Sequence, residues 1–272
     1  MKILSYLTLL GITAVSFSAC ETGNLLDDNQ KQEYVDSAKF ANVKFIQNFA
    51  GNTPQLPTAP NATTGPQVFI YANGKKVNGT ALGYGGFYPS TTVYSLIESG
   101  SNIKFDVVMA RLNLGVVPNI PAPIAGDTLL SFNQTLEAGK FYSFMIGDTV
   151  PALRVNVRED VISQPEYQTY KIRLANWLMN PTDTVTLYSR REAREIIQNI
   201  THKQYSDWVQ LPLPIISDTL ELRRKGTTTV YITVGGTAPG FSPIGERSYT
   251  VIARGRTGVT SKTPSASIVT NR

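Results

Sequence analysis

Val68-Phe69-Ile70-Tyr71-Ala72-Asn73-Gly74-Lys75-Lys76-Val77 decides the fold class. Asn-Gly is the strongest short hairpin signal, because a type I′ turn needs positive φ at both central residues. The β-branched and aromatic residues before it favour a pleated strand. Outward from this hairpin the same period-2 signal recurs. Lys39 to Ile46 alternates, and Thr92–Ile97, Ile103–Ala110, Leu129–Thr135, Phe141–Ile146 and Leu153–Val157 are further strand candidates. Clusters of Gly and Pro separate them. Many short strands at this spacing predict a sandwich or barrel.

The second half of the chain echoes the first. Val43-Lys44-Phe45-Ile46-Gln47-Asn48 returns in pattern as Ile172-Arg173-Leu174-Ala175-Asn176-Trp177. The Gly139–Gly147 string returns as Gly245–Ala253, and Leu153–Val157 as Ser267–Thr270. Three matches in one order predict two tandem copies of one β-domain, over residues 35–162 and 163–272. The boundary falls at the polar, Pro-containing Ser163-Gln164-Pro165-Glu166. One segment breaks the pattern. Ser189-Arg190-Arg191-Glu192 has the form of a capping box, and Ala193, Ile196, Ile197 and Ile200 follow at helical spacing. A short amphipathic helix is expected there. The expectation is an all-β chain of two antiparallel β-sandwiches with one short helix in the second.

The amino-terminal residues bear on location. Met1-Lys2 precedes an apolar run, Ile3 to Phe17, of signal-peptide length, shorter than the roughly twenty apolar residues of a membrane span. It closes with Phe17-Ser18-Ala19-Cys20, which resembles the bacterial lipobox, although Phe17 replaces the usual Leu. Cys20 is the only cysteine in the chain. Residues 1–19 then read as a signal peptide and 20–34 as a lipidated polar tether. One acyl chain anchors marginally, whereas the two or three on a lipidated cysteine hold firmly. With Cys20 acylated, no disulfide, thiol nucleophile or cysteine metal site is left. The net charge of +5 is modest and its basic residues are dispersed, so nucleic acid is not implied as a partner.

The Val43–Asn48 and Val68–Gly74 strings, Leu136-Glu137-Ala138-Gly139-Lys140-Phe141-Tyr142 and Ile172-Arg173-Leu174-Ala175-Asn176 resemble the domain of unknown function 4397. That family occurs in tandem in lipoproteins of Gram-negative bacteria. The second copy departs from it: its Asn-Gly turn is absent, and Ser189 to Asp207 takes that place. The resemblance implies immunoglobulin-like sandwiches in the cell envelope and offers no catalytic residues; the expected location is the outer membrane, with the leaflet open. A further resemblance concerns modification. Gram-negative anaerobes with a general periplasmic O-glycosylation system modify Asp-Ser/Thr before an aliphatic or similar residue. Five of the ten aspartates stand in such a motif, presenting Ser37, Thr128, Thr149, Thr184 and Thr219, where ordinary composition gives about one. Asp-Thr-aliphatic equally suits a turn leading into a strand.

Catalytic patterns are weak. His202 is the only histidine, and no Gly-x-Ser-x-Gly elbow accompanies Tyr205-Ser206-Asp207, so it reads as a surface histidine. Ser101-Asn102-Ile103-Lys104 opens a strand rather than a helix. Asp106, Asp127, Glu137, Glu159 and Asp160 are scattered acids, which glycosidase chemistry would need paired in a cleft. No metal or cofactor signature is present, and no enzyme is expected. The candidate binding surface is Gly83-Tyr84-Gly85-Gly86-Phe87-Tyr88, with Tyr205 and Trp208 as its counterpart in the second copy. These rings suit either a sugar face or partner chain, or the interior of a bulged strand. The expected role is a non-catalytic structural or protein-interaction module, anchored to the bilayer through acylated Cys20, with carbohydrate binding or adhesion as the alternative. Its partner is then an envelope protein or a glycan.

Overall fold

The computed structural model describes residues 36–49, 67–111, 126–148, 152–179, 182, 184–234, 240–256 and 263–271. Cys20 and Thr149, two of the sequence-derived site residues, lie outside them. Residues 37–272 form one compact unit.

The described chain is built of strands. The first set is β1 (Phe40–Gln47), β2 (Gln67–Ala72), β3 (Lys75–Lys76), β4 (Phe87–Tyr88), β5 (Ser95–Glu98), β6 (Gly100–Arg111), β7 (Thr128–Leu136), β8 (Phe141–Gly147) and β9 (Arg154–Glu159). The second set is β10 (Thr169–Leu178), β11 (Val185–Ser189), β12 (Arg194–Ile200), β13 (Val209–Pro212), β14 (Leu220–Arg224), β15 (Val230–Val234), β16 (Ser248–Gly255) and β17 (Ser265–Thr270). A 3₁₀ turn, Ser37–Lys39, leads directly into β1.

Four sheets result: β4-β1-β8-β9 with β5 also beside β1, β3-β2-β6-β7, β13-β10-β16-β17, and β12-β11-β14-β15. The first two draw on residues 40–159 and the last two on residues 169–270, and they repeat one topology. In each half the first strand pairs parallel with a late one, β1 with β8 and β10 with β16, inside otherwise antiparallel sheets. Each half also carries the same tyrosine corner: the Glu137 amide donates to the Tyr142 hydroxyl at 3.2 Å, and the Ile244 amide to that of Tyr249 at 2.8 Å. Immunoglobulin-type sandwiches use this device at a strand corner.

The alignment of the copies differs from the sequence reading by one residue at β8 and β16. Val43 faces Tyr142 and Ile172 faces Tyr249, so Gly139 corresponds to Glu246 rather than to Gly245. Both have positive φ, 75° and 62°. Both amides donate to the opening of the first strand, Gly139 to Phe40 O at 2.8 Å and Glu246 to Thr169 O at 2.7 Å. The glycine match misled because one copy uses a non-glycine residue at the left-handed position.

The expected helix is a β-hairpin. Ser189 does accept the Glu192 amide, at 3.0 Å, as a capping serine would. Here that bond closes a tight turn braced by Asp218, which accepts from the Ser189 hydroxyl and, at 3.1 Å, from the Arg191 amide. Ala193 then takes φ +50°, which ends any helix. β12 runs back along β11 with register shifts between Val185 and Tyr188. Those shifts let the consecutive Ile196 and Ile197 both be buried in a ladder that would otherwise alternate. The bulged strand thereby imitated helical spacing.

Each sandwich has its own core. Phe45, Phe105, Phe132 and Phe144 interlock in the first, with centroids 4.9–6.0 Å apart. Ile172, Leu174, Val185, Leu187, Leu220, Leu222 and Val251 fill the second. In β1, β8, β10 and β16 the burial runs continuously rather than alternating. Such strands are covered on both faces, and what covers the second face is the other sandwich.

Candidate binding cleft at the seam between the halves

The seam has an apolar centre of Ile46, Met145, Ala175, Trp177, Ile252 and Val269, with Phe87 and Tyr205 packed against it. Ile46 and Ala175, Met145 and Ile252, and Phe87 and Tyr205 are topological counterparts, so the halves meet about an approximate two-fold axis. At one end of the strands Lys44 of β1 reaches Thr270 O at the close of β17, and Arg173 of β10 reaches Asp160 just past β9. At the other end Asn48 Nδ2 donates to Trp177 O at 3.4 Å and Lys203 pairs with Asp148 at 2.7 Å. β1 and β10 therefore start at the same end of the molecule and finish at the other.

The starting end is a closed polar network. Arg173 and Asp160 form an ion pair with side chains 1% and 0% exposed. Asp160 also accepts from Ser143 Oγ at 2.5 Å and from the Tyr94 hydroxyl at 3.0 Å. Arg173 Nε donates to Thr250 Oγ1 at 2.8 Å, which donates to Asn271 Oδ1 at 2.6 Å. Asn271 Nδ2 donates to Tyr94 at 2.9 Å, closing the circuit across the halves. Lys44 donates to Thr91 O at 3.0 Å and Thr270 O at 2.9 Å and lies 4.4 Å from the Tyr94 ring centroid. Burial brings its pKa down to about 8, against the opposing pull of Asp160. A satisfied buried network fixes one geometry.

The finishing end opens into a cleft of about 420 Å³ lined by Asn48, Asp148, Ala152, Arg154, Trp177, Met179, His202 and Lys203. Arg154 Nε stands 3.7 Å from Asp148, which is already engaged by Lys203. His202 forms part of this wall and is half-buried, not a fully exposed surface residue. Burial lowers its pKa, helped by Lys203 and opposed by the Leu178 carbonyl and Asp148. Its Nδ1 is buried without a hydrogen-bond partner among the described residues. Arg154, 76% exposed at its side chain, is the lining group open to a small polar ligand, with the Lys203–Asp148 pair beside it, whereas Trp177 is buried in the seam.

The aromatic residues singled out in the sequence are used in the seam and the adjoining sandwich. Gly83–Tyr88 corresponds to Thr201–Ser206: Gly85 N donates to Gln47 O at 2.8 Å, and Lys203 N to Asn176 O at 2.7 Å. His202 is thus the counterpart of Tyr84. Phe87 and Tyr205 pack on the seam centre, and Tyr88 on the first core. Burial pushes the Tyr205 hydroxyl up to about 12. Trp208 carries the Arg173 guanidinium 4.4 Å from its ring centroid. The glycines serve close approach as well as turning. A Cβ on Gly85 would strike the Arg254 guanidinium, which donates to the Gly85 carbonyl at 3.0 Å, and one on Gly86 would strike Gly83 O.

Other singled-out residues are dispersed. Ser206 Oγ accepts from Leu174 N and donates to Asp207 O, both backbone groups. Asp106 accepts from Ser131 and pairs with Lys104. Glu137 and Glu159 share Lys140 on open surface, at 2.9 and 3.2 Å. Ser37 begins the 3₁₀ turn, Thr128 opens β7 and is exposed, and Thr184 and Thr219 immediately precede β11 and β14. Sequence reasoning missed Asn48, Asp148, Arg154, Trp177, Met179 and Lys203. Aligning Gly83–Tyr88 with Thr201–Ser206 would have placed His202 and Lys203, whereas the sequence reading set Tyr205 and Trp208 against that stretch. The chain matches no protein-family model and no curated protein, so the functional reading rests on the residues and geometry above.

Proposed function

We propose that this protein is an acyl-anchored lipoprotein of the cell envelope whose two-sandwich body is a non-catalytic interaction module. The observation that carries this is the pairing of two features: a sole cysteine at the end of a lipobox-like Phe17-Ser18-Ala19-Cys20, and a body locked by the buried Arg173–Asp160 pair. A locked body presents fixed surfaces instead of hinging about a site. Of the scattered acids singled out in the sequence, four are engaged in ion pairs: Asp160 in the seam, Asp106 with Lys104, and Glu137 and Glu159 with Lys140. Fractionation of cells expressing the parent and Cys20→Ala tests the anchor. The parent partitions with membranes and the variant does not. Equal partitioning would overturn the reading. Crosslinking in native envelopes then identifies the partner.

A second reading, glycan capture, is favoured by the seam cleft, where Ala152 and Met179 adjoin the polar Asp148, Arg154 and Lys203. Sugars combine apolar faces with hydroxyls and suit such a lining. Arg154→Ala removes glycan-array binding if this reading holds and leaves an unchanged array if it does not.

A further inference from the structure

Large apolar side chains are exposed unevenly. Among the described residues eight stand out: Val93, Leu96, Val161, Tyr167, Ile215, Ile216, Val230 and Ile244. Five of these, Val161, Tyr167, Ile215, Ile216 and Ile244, occupy loops at the end where β1 and β10 start. Val161 directly follows the seam residue Asp160. Tyr167 lies in the turn before β10, where Thr169 N donates to Glu166 O at 3.0 Å. Ile215 and Ile216 follow β13, whose last residue, Pro212, faces Thr169. Ile244 precedes β16, in the turn whose Glu246 amide donates to Thr169 O at 2.7 Å. Leu213 ties the loops together: its amide donates to Gln168 O at 2.8 Å, and its side chain lies 3.5 Å from where a Gly245 Cβ would sit. Ile215 is 100% exposed and Tyr167 79%. In a water-soluble body such a group of loop tips normally has something to cover it.

The chain itself indicates what that is. Ser37–Lys39 runs into β1 at this same end, where Ser99 N donates to Lys39 O at 2.8 Å. Cys20 precedes Asp36 by sixteen residues, and a segment of that length spans at most about 55 Å even fully extended. The chain thus joins the body to an acyl group on Cys20 at the apolar loop end, so that end meets the headgroups on the shortest tether. Tethering raises the local concentration of membrane to the millimolar range or above, so contacts too weak to bind a free protein become populated.

Resting on the lipoprotein reading above, we propose that Tyr167, Ile215, Ile216 and Ile244 form a second, non-covalent contact with the lipid surface. The body then stands end-on, with its loop tips in the interfacial layer and the seam cleft pointing away from the bilayer. The loops that carry these side chains hold charges of both signs, Lys171, Arg191 and Arg247 beside Glu166, Glu192 and Glu246. The contact is accordingly apolar and indifferent to lipid charge.

The test uses the acylated full chain, in which the thioether leaves Cys20 unreactive, so that Ile215→Cys and, at the opposite end, Val230→Cys each take one fluorophore. The proteins are reconstituted in phosphatidylcholine vesicles, with and without phosphatidylglycerol, carrying a brominated acyl chain as quencher. Emission at position 215 falls at least two-fold relative to position 230, equally in both vesicles, and Ile216→Ser with Ile244→Ser relieves this quenching. Intact mass reports acylation, and thermal unfolding reports folding, of every variant. An acylated, folded protein unquenched at 215 overturns the contact and leaves the anchor standing. A mass without the acyl group overturns both. In native envelopes, a photocrosslinker at position 215 that joins an envelope protein and no lipid overturns the contact and makes that protein the occupant.

Discussion

Asp160→Asn measures how firmly the halves are locked. The side chain keeps its volume and can still bond Ser143 and Tyr94, but it no longer neutralises Arg173, whose side chain is 1% exposed. Breaking a buried pair by removing one charge costs about 3–5 kcal/mol, because the other is stranded away from water. A loss of about 3 kcal/mol is a large share of the roughly 5–15 kcal/mol that holds a typical protein folded. With a urea dependence near 3 kcal/mol per molar, the unfolding midpoint falls by about 1 M. Both tryptophans lie at or beside the seam, Trp177 in its centre and Trp208 over Arg173, so intrinsic fluorescence reports the transition directly. Removing both charges in Arg173→Met with Asp160→Leu recovers most of the loss, since replacing a whole buried pair by apolar groups is often close to neutral. A single variant within 1 kcal/mol of the parent, or a double variant as damaged as the two singles combined, refutes the reasoning.

Ala193→Gly distinguishes the hairpin from the helix that its sequence suggests: at φ +50° glycine stabilises by up to about 1 kcal/mol, whereas in a helix it would cost about as much, and a thermal melt reads the sign. Gly147→Ala drives a methyl into the Trp177 ring, 2.7 Å away, costing about 1–3 kcal/mol and changing tryptophan emission; an unaltered spectrum and melting temperature would refute the packing. Lys44 sets a pH dependence, because its folded pKa of about 8 lies below the unfolded 10.5. The unfolded chain binds the extra proton between those values, so stability rises with pH from about 8, by up to about 3 kcal/mol. Above about pH 10 it falls again, as the unfolded chain sheds tyrosine protons that burial retains on Tyr94, Tyr170 and Tyr205. Lys44→Met abolishes the rise in urea titrations across that range.

The Asn73-Gly74 hairpin was legible because the turn residues have positive φ, 47° and 76°, and little else in the alphabet tolerates that pair. The duplication was legible in β1 and β10 because both keep an apolar run interrupted by one cation. What that cation does was hidden. Lys44 and Arg173 look like the solvent-facing members of an alternating strand, yet they are 0% and 1% exposed, since a second sandwich covers their face. The same cover conceals the parallel β1–β8 and β10–β16 pairings, which depend on distant segments and not on local pattern. β12 misled through its bulge. The cleft drew on four separate stretches, around Asn48, Asp148–Arg154, Trp177–Met179 and His202–Lys203, and nothing local marks any of them as cleft residues.

The placement of β1 has a mechanical consequence. A pull on the amino-terminal segment acts along β1 from its first residue. That strand lies lengthwise between a parallel ladder with β8, from Asn42–Phe141 to Gln47–Ile146, and an antiparallel one with β5. Such a load slides all the rows together, so they must fail at once instead of peeling away in turn. Resistance to such a pull is then set by the unfolding rate under force.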